Sequence, residues 1–529
     1  MRAVLLAGVA IIGVGGASVV ARAQAPTTSP PTPTEGILVT RPLGPSPAIV
    51  NDNNNSYAAA KPGPFATPTP GTIVIHINGR VNAGFKSIWS SADERTATAP
   101  TGSVGGAAIA PGAATPAATV LGNNGAGPVK LAPDSLFSYM RLYLGADAMA
   151  ANGLRYGAGI ELRQNFSGQV SNNSSSGASG YSSLETVFVR RAFTYVAGDQ
   201  WGIVRIGQAD GLISLFDNGV TTFQYLPTNN LQNGDDFAML TPTNASVPFF
   251  FVSGSGNEYT NTKVVYLSPQ LAGFDFGIQW APNTSNGYGL GGSNNALTGS
   301  IISAGTGTGL NCTVANSGCP TLSSGPGALD GSRIMNQTAI GVRYQGSVGD
   351  VGVLAYGVYE FSGHADFTGP TNAAFLGNTV AGTTFNGKYD GLNFANAGFA
   401  LTYGGFTVGA NAIGGRLNGL LALTPQHGAP EVAYMVGAKY TTGPLVVGVA
   451  AEHGDYQGSV NLTGVTQRRG QAIDIGVGYT VAPGYQVYAE YQYQSIYQGD
   501  FNFITSSPGS SANNTIKSQG LLVGNVVNF

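Results

Sequence analysis

The sequence predicts an all-β fold: a closed transmembrane barrel of sixteen antiparallel strands. Sixteen short stretches have an apolar or aromatic residue at every second position, and the last of them ends on Phe529. The chain has 79 glycines, only 9% charged residues and a mean hydropathy of +0.07. These values differ from those of helical membrane proteins and ordinary soluble enzymes, and they fit strands in which polar and apolar residues alternate.

The clearest alternation runs from Tyr485 to Gln494. One face carries Tyr485, Val487, Ala489, Tyr491 and Tyr493, and the other carries Gln486, Tyr488, Glu490, Gln492 and Gln494. Successive side chains of a strand point to opposite faces, so one face suits lipid and the other suits water. A soluble sandwich also alternates, but it buries its apolar face in protein and does not need so many strands with tyrosines toward their ends.

The pattern places the strands at 72–88, 136–148, 153–167, 184–197, 200–208, 260–268, 271–282, 334–346, 350–362, 391–403, 405–416, 431–441, 444–456, 471–481, 484–498 and 515–529. Their connections alternate between short turns and long polar segments, as expected for periplasmic turns opposite external loops. The other all-β interpretation, a secreted β-solenoid adhesin, requires a fixed short repeat, and the sequence has none.

The amino terminus predicts export and three regions along the chain. Residues 1–23 have the basic start, apolar run and small-residue cleavage site of a signal peptide. A retained membrane helix is the weaker interpretation, because no stop-transfer charges follow. Residues 24–71 are rich in proline, so we expect an extended periplasmic leader. The alternatives are a partial plug of the lumen and a segment that contacts the cell wall. The barrel then occupies residues 72–529.

Charge and cysteine content exclude several classes of function. Removal of the signal peptide leaves 21 basic against 26 acidic residues, and this mildly acidic balance argues against a nucleic-acid partner. Cys312 and Cys319 are the only cysteines of an exported chain, so we expect a local disulfide that staples a loop. The four histidines are far apart in sequence, and we expect no metal site and no cofactor.

If the apolar positions face lipid, the intervening charged positions face the lumen. The early strands then contribute a basic wall, made of Arg80, Arg141, Arg155, Arg163 and Arg205. Of the adjacent Arg190 and Arg191, one is expected to face inward. Later strands contribute mainly acidic residues, namely Asp275, Glu360, Glu452, Asp474 and Glu490, with Arg343 and Lys439 among them. The cost of about 2–4 kcal/mol for a basic residue in lipid explains the inward direction but not this clustering.

The third long loop, 209–259, is acidic and contains no Lys or Arg. Its candidate constriction residues are Asp210, Asp217, Asp235 and Asp236. Folded into the barrel opposite the arginines, such a loop would create a transverse field and a narrow pore. A solvated outer loop is the alternative. The apolar Leu212, Ile213, Leu215, Phe216 and the run 248–251 favour the inward position, because an inward loop must pack against the wall.

Over residues 72–529 the chain resembles the general trimeric porins of Gram-negative bacteria, especially the alphaproteobacterial type. The similarity is carried by the sixteen strands, by Phe188–Phe193 and Gly202–Gln208, and by the ending Val526–Phe529. It implies an outer-membrane homotrimer surrounded by lipid and lipopolysaccharide, a third loop that constricts each pore, and a terminal Phe529 that the barrel-assembly machinery reads. The proline-rich leader and the absence of a Pro-Glu-Phe-Gly-Gly loop tip depart from that pattern.

The predicted function is passive diffusion of small hydrophilic solutes and ions, without chemistry. One alternative is a substrate-preferring porin, for example for sugars, with Tyr139, Tyr143, Tyr356 and Tyr488 stacking on the rings. Another is a surface-adhesive barrel acting through its long loops. A barrel enzyme is disfavoured, because His453 beside Glu452 has no accompanying serine motif. The G-x-G-x-x-G match at 287–292 lies in a polar loop with no helix after it.

Overall fold

The computed structural model describes residues 69–91, 94–98, 103–104, 107–108, 125–130, 133–165, 187–220, 250–251, 262–283, 334–364, 389–419, 421, 423–425, 428–457, 467–503, 507–508 and 511–529. All of them belong to one unit, Thr40–Phe529. Among these residues no helix is long and apolar enough to cross a membrane.

Sixteen strands form a single closed sheet. They are β1 Ile73–Ser90, β2 Asp134–Met149, β3 Arg155–Asn165, β4 Phe188–Gly198, β5 Gly202–Gln208, β6 Thr262–Leu267, β7 Phe274–Asn283, β8 Ile334–Val348, β9 Val351–His364, β10 Asn393–Tyr403, β11 Phe406–Arg416, β12 Glu431–Thr442, β13 Leu445–Tyr456, β14 Arg468–Ala482, β15 Tyr485–Gln498 and β16 Thr515–Asn528. Each pairs antiparallel with its neighbours in sequence. The predicted fold class and strand number are confirmed.

The barrel closes between its first and last strands. β1 pairs with β2 on one side and with β16 on the other, where Arg80 lies opposite Asn528. Beyond that pair, Gly79 and Phe529 exchange two backbone hydrogen bonds of 2.9 and 3.0 Å. Closure leaves no free sheet edge, so the backbone groups of every barrel strand can be satisfied within the wall.

The outer face of the wall is apolar. In β1, Ile73, Ile75 and Ile77 are 63%, 74% and 60% exposed, while the intervening residues point to the lumen. Aromatic residues flank the short turns, as at Tyr403 and Phe406, which are also well exposed. An apolar band bordered by aromatic side chains is the surface that a bilayer requires of a barrel.

Short turns join strands at one end of the barrel. Several of them use glycine with positive φ, such as Gly404 at +56° and Gly443 at +53°, a conformation that two-residue hairpins need and that glycine adopts without strain. At the opposite end, small ladders occur within the long connections. They pair Glu94–Thr98 with Gly125–Lys130, Ser103–Val104 with Ala107–Ala108, Tyr389–Asp390 with Thr424–Pro425, and Phe501–Asn502 with Ser507–Pro508.

A short helix, α1 Leu212–Phe216, follows β5 and packs inside the barrel. All five of its residues are buried. Its four apolar residues, Leu212, Ile213, Leu215 and Phe216, belong to an apolar cluster that includes inward side chains of the wall, among them Val265, Ala339 and Val358. The main apolar core of the described residues therefore lies between the beginning of the third long loop and the inner face of the wall.

Candidate functional site

Three arginines lie side by side on the inner wall. Arg80 of β1 is directly opposite Arg141 of β2, which is directly opposite Arg163 of β3. All three side chains are buried. Like charges in direct cross-strand register repel each other, so this arginine row requires counter-charge nearby.

A β-bulge in β4 extends the row. Glu161 pairs with Arg191 and the next residue, Leu162, pairs with Val189, so Arg190 has no register partner on β3. The expectation that one of the two arginines faces inward is wrong, because both are buried, each 3% exposed. The extra residue of the bulge interrupts the alternation, and Val189 and Ala192 on either side remain exposed.

Glu161 is the acceptor on which these arginines converge. Its Oε1 accepts a hydrogen bond from Arg163 Nε at 2.5 Å and from Arg190 Nη1 at 3.2 Å. Its Oε2 accepts from Arg191 Nη1. The carboxylate is 2% exposed, and hydrogen bonds between ionised partners in such a place are strong. A single buried carboxylate therefore holds three guanidinium groups together.

The root of the third loop is attached to the same cluster. Arg191 Nη2 donates to Asp210 Oδ1 at 2.8 Å, and Arg205 Nη2 donates to the Asp210 carbonyl at 2.6 Å. Lys263 Nζ donates to the Ala209 carbonyl at 2.8 Å. Three basic side chains from three successive strands thus fix two consecutive loop residues.

The helix α1 is fixed to the next part of the wall. The Leu212 backbone N–H donates to Gln279 Oε1 at 2.7 Å. Arg343 Nη1 donates to the Leu215 carbonyl at 3.0 Å, and its guanidinium lies 4.9 Å from the centre of the Phe216 ring. Arg343 also pairs with Asp275, with 2.5 Å between Nη2 and Oδ2. The beginning of the loop therefore runs along β7 and β8.

Two further contacts attach described residues of the loop to later strands of the wall. Asn218 Nδ2 donates to the carbonyls of Phe399 and Ala410, both at 2.7 Å, on β10 and β11. The ring of Phe250 meets Tyr456 of β13 edge-on, with centroids 5.6 Å apart. Asp217 Oδ2 accepts from the Gly219 N–H at 2.9 Å and so helps to shape the loop.

Not every candidate for the basic wall lies in this cluster. Arg155 begins β3 beside a short turn, where it pairs with the exposed Asp199. It is thus at the other end of the strand from Arg163. The structure places Arg80, Arg141 and Arg163 side by side on β1, β2 and β3. Arg205 of β5 contacts the loop root at Asp210, and Arg155 lies near the turn-side rim.

Buried carboxylates occupy the other half of the wall. Glu360, Glu431, Glu452, Asp474 and Glu490 lie on β9, β12, β13, β14 and β15. Several accept short hydrogen bonds from neutral donors: Glu360 from Gln337 Nε2 at 2.5 Å, Glu431 from the Gly419 N–H at 2.6 Å, and Asp474 from Gln492 Nε2 at 2.7 Å. The lumen wall therefore has a basic half and an acidic half.

The lumen tyrosines take part in polar networks. Tyr356 OH donates to Asn396 Oδ1 at 2.6 Å and accepts from Asn411 Nδ2. Tyr488 OH donates to Asn82 Oδ1 at 2.7 Å. Tyr143 is also buried. The Tyr139 side chain, Asp235, Asp236, Cys312, Cys319 and the predicted leader up to residue 68 lie outside the described part of the structure.

Several residues of this site are additional to those predicted from the sequence. Lys263 attaches the loop root, Gln279 accepts from α1, and Glu161 accepts hydrogen bonds from three arginines. The alternation of Thr262, Lys263 and Val264 could have placed Lys263 inward. No sequence signal could have indicated which donors converge on Glu161, because they come from different strands.

Comparison with known proteins identifies a family and several similar structures. The family model described as Gram-negative porin matches residues 74–496. Similar solved structures include an anion-selective porin from Comamonas acidovorans and OmpT of Vibrio cholerae in a trimer form. Each is 12% identical to this chain, with a TM-score of 0.44. Each match covers 87% of this chain and 100% of the other chain. A mutant of the Rh. blastica porin is 13% identical with a TM-score of 0.42, covering 86% and 100%. No curated protein matches.

The match of the family model extends over most of the chain, including the strands that carry the basic and acidic halves of the wall. The closed sixteen-stranded barrel has the architecture expected for such a sequence. The chain belongs to the Gram-negative porin family and is a multi-pass β-barrel of the outer membrane.

Proposed function

We propose that this porin is a water-filled channel for passive diffusion of small hydrophilic solutes and ions, narrowed by its third long loop. The observation that carries the proposal is the attachment of residues 209–220 to the inner wall, from the arginine cluster at Asp210 to β10 and β11 at Asn218. A loop that crosses a barrel between a basic and an acidic wall reduces the width of the pore and imposes a transverse field.

Selection in this channel depends on width and wall charge, with no chemical step. The basic wall consists of Arg80, Arg141, Arg163 and Arg205, with Arg155 at the rim. On the opposite side we propose Asp217, Asp235 and Asp236, whereas Asp210, the fourth acidic candidate, is bonded to Arg191 and fixes the loop root. A solute must pass between the two, so its charge and dipole decide how easily it enters.

We further propose a homotrimer, inserted among lipid and lipopolysaccharide, whose Phe529 is read by the barrel-assembly machinery. The apolar outer wall can contact a second copy as well as lipid, and Phe529 is 63% exposed on it. We also propose a disulfide between Cys312 and Cys319 and a periplasmic leader over residues 24–71.

Single-channel conductance in planar bilayers tests the function. Purified wild type is compared with the double variant Asp235→Asn/Asp236→Asn and with Asp350→Asn, which removes a carboxylate from a short turn. We expect ohmic steps in groups of three, with a selectivity that the double variant shifts toward anions and the turn variant leaves unchanged. Absence of conductance from a folded, heat-modifiable barrel would contradict the channel function.

A substrate-preferring porin, in which lumen tyrosines stack on the rings of a sugar, is the second candidate. Tyr356 does not carry it, because its side chain is buried and its hydroxyl is bonded to Asn396 and Asn411. Saturable block of the conductance by a sugar would support this candidate, whereas a current independent of sugar concentration supports the general channel.

A further inference from the structure

We propose that Glu161 is a positioning residue of the channel, which gathers the arginines of β3 and β4 and directs Arg191 toward the root of the third loop. The proposal rests on the proposed channel function. It identifies Glu161 as the residue through which the arginines of the basic wall hold the root of the third loop in place.

The arginine row needs a negative charge beside it. Arg80, Arg141 and Arg163 face one another directly across β1, β2 and β3. Their repulsion increases where protein excludes water. Glu161 precedes Arg163 by two residues on the same face of β3 and is diagonal to Arg141, so its carboxylate lies next to the row.

The bulge in β4 brings two more arginines to this charge. Regular pairing would turn one of Arg190 and Arg191 toward lipid, and the bulge turns both toward Glu161. Arg163 and Arg190 donate to Oε1, while Oε2 accepts from Arg191 Nη1. The donors of a guanidinium are fixed in one plane, so the bond at Nη1 also sets the direction of Nη2.

The second terminal nitrogen of Arg191 reaches the root of the loop. Arg191 Nη2 donates to the buried Asp210 side chain, at 2.8 Å, which makes this contact an ion pair between side chains. Arg205 and Lys263 reach the same root through its backbone carbonyls. Without the Glu161 charge, Arg191 can rotate away, and the loop root then depends on those two carbonyl contacts. The constriction fluctuates more as a result.

The test compares wild type, Glu161→Gln and Asp474→Asn in planar bilayers. Asp474 is a matched control, because it is a buried carboxylate of β14 bonded to Gln492 and has no described contact with an arginine or the loop. Neither substitution adds a positive side chain or changes the volume much. Only Glu161→Gln should raise open-channel current noise, at least twofold, and lower the voltage at which channels close.

Two more variants separate position from charge. Glu161→Gln alone removes a negative charge and should shift the reversal potential toward anion selectivity. The double variant Glu161→Gln/Arg190→Gln keeps the net charge of the wall. Its reversal potential should therefore return toward the wild-type value, while its current noise stays high. Arg191→Lys keeps the charge, but a single ammonium cannot reproduce the planar fork, so it too should be noisy with unchanged selectivity. It serves as the test if Glu161→Gln does not fold.

Equal noise in Glu161→Gln and Asp474→Asn, or a quiet Arg191→Lys channel, would overturn the positioning role. A folded wild type without conductance would instead overturn the channel function itself. The two failures are therefore distinguishable.

Discussion

At the scale of single residues, the hydroxyl of Tyr356 should be needed for stability. It donates to Asn396 and accepts from Asn411, and all three side chains are buried. Tyr356→Phe leaves both amides without this partner, and a buried unsatisfied polar group costs about 1–3 kcal/mol. We expect the free energy of unfolding to fall by that amount in urea titrations of the barrel in lipid vesicles. Tyr434→Phe, on the exposed outer face of β12, is the matched control and should change it little.

The arginine pair shows what a residue pattern can and cannot predict. Strict alternation assigns Arg205 inward between Val204 and Ile206, and its side chain is buried in the structure. For Arg190 and Arg191 the same rule allows only one inward side chain. The bulge that admits both depends on the pairing of Glu161 and Leu162 across the neighbouring strand, which the sequence of β4 does not contain.

At the scale of elements, deletion of Arg190 should be tolerated, although it shortens a membrane strand. The deletion leaves Arg191 opposite Glu161 and Val189 opposite Leu162 in regular alternation, so no residue changes face. We expect a folded barrel whose migration in gels is modified by heat. Deletion of Thr194 is the control, because Thr194 lies in the regular part of β4. Its loss would shift the alternation and turn Arg191 toward lipid, so this variant should not fold. Equal yields of both would contradict the role given to the bulge.

Long elements were predictable and short ones were not. The strand bounds predicted from alternation lie within a few residues of the observed ones, because each strand repeats the two-residue period several times. The apolar residues of the third loop predicted packing against the wall. The helix that they form has only five residues, Leu212–Phe216, which is too short for a helical period to be visible.

At the scale of the whole molecule, the barrel depends on how its first and last strands meet. Gly79 exchanges backbone hydrogen bonds with Phe529, and the Phe529 ring lies over the glycine on the outer face. A Cβ at position 79 would be 2.6 Å from Phe529 Cζ and 3.0 Å from the Arg141 carbonyl. The absence of a side chain at Gly79 is therefore what allows the terminal ring to lie against the seam.

Gly79→Ala should accordingly slow closure of the barrel. We expect a lower fraction of heat-modifiable barrel at a fixed time of refolding into vesicles, because the Phe529 ring must leave its position. Gly357→Ala is the control, since a Cβ there meets no atom within 4 Å in the middle of β9. Phe529→Ala removes the ring, so Gly79→Ala should cost less in that background, as coupled neighbours require. An undiminished cost would assign the effect to the Arg141 carbonyl and would show that the terminal ring does not govern closure.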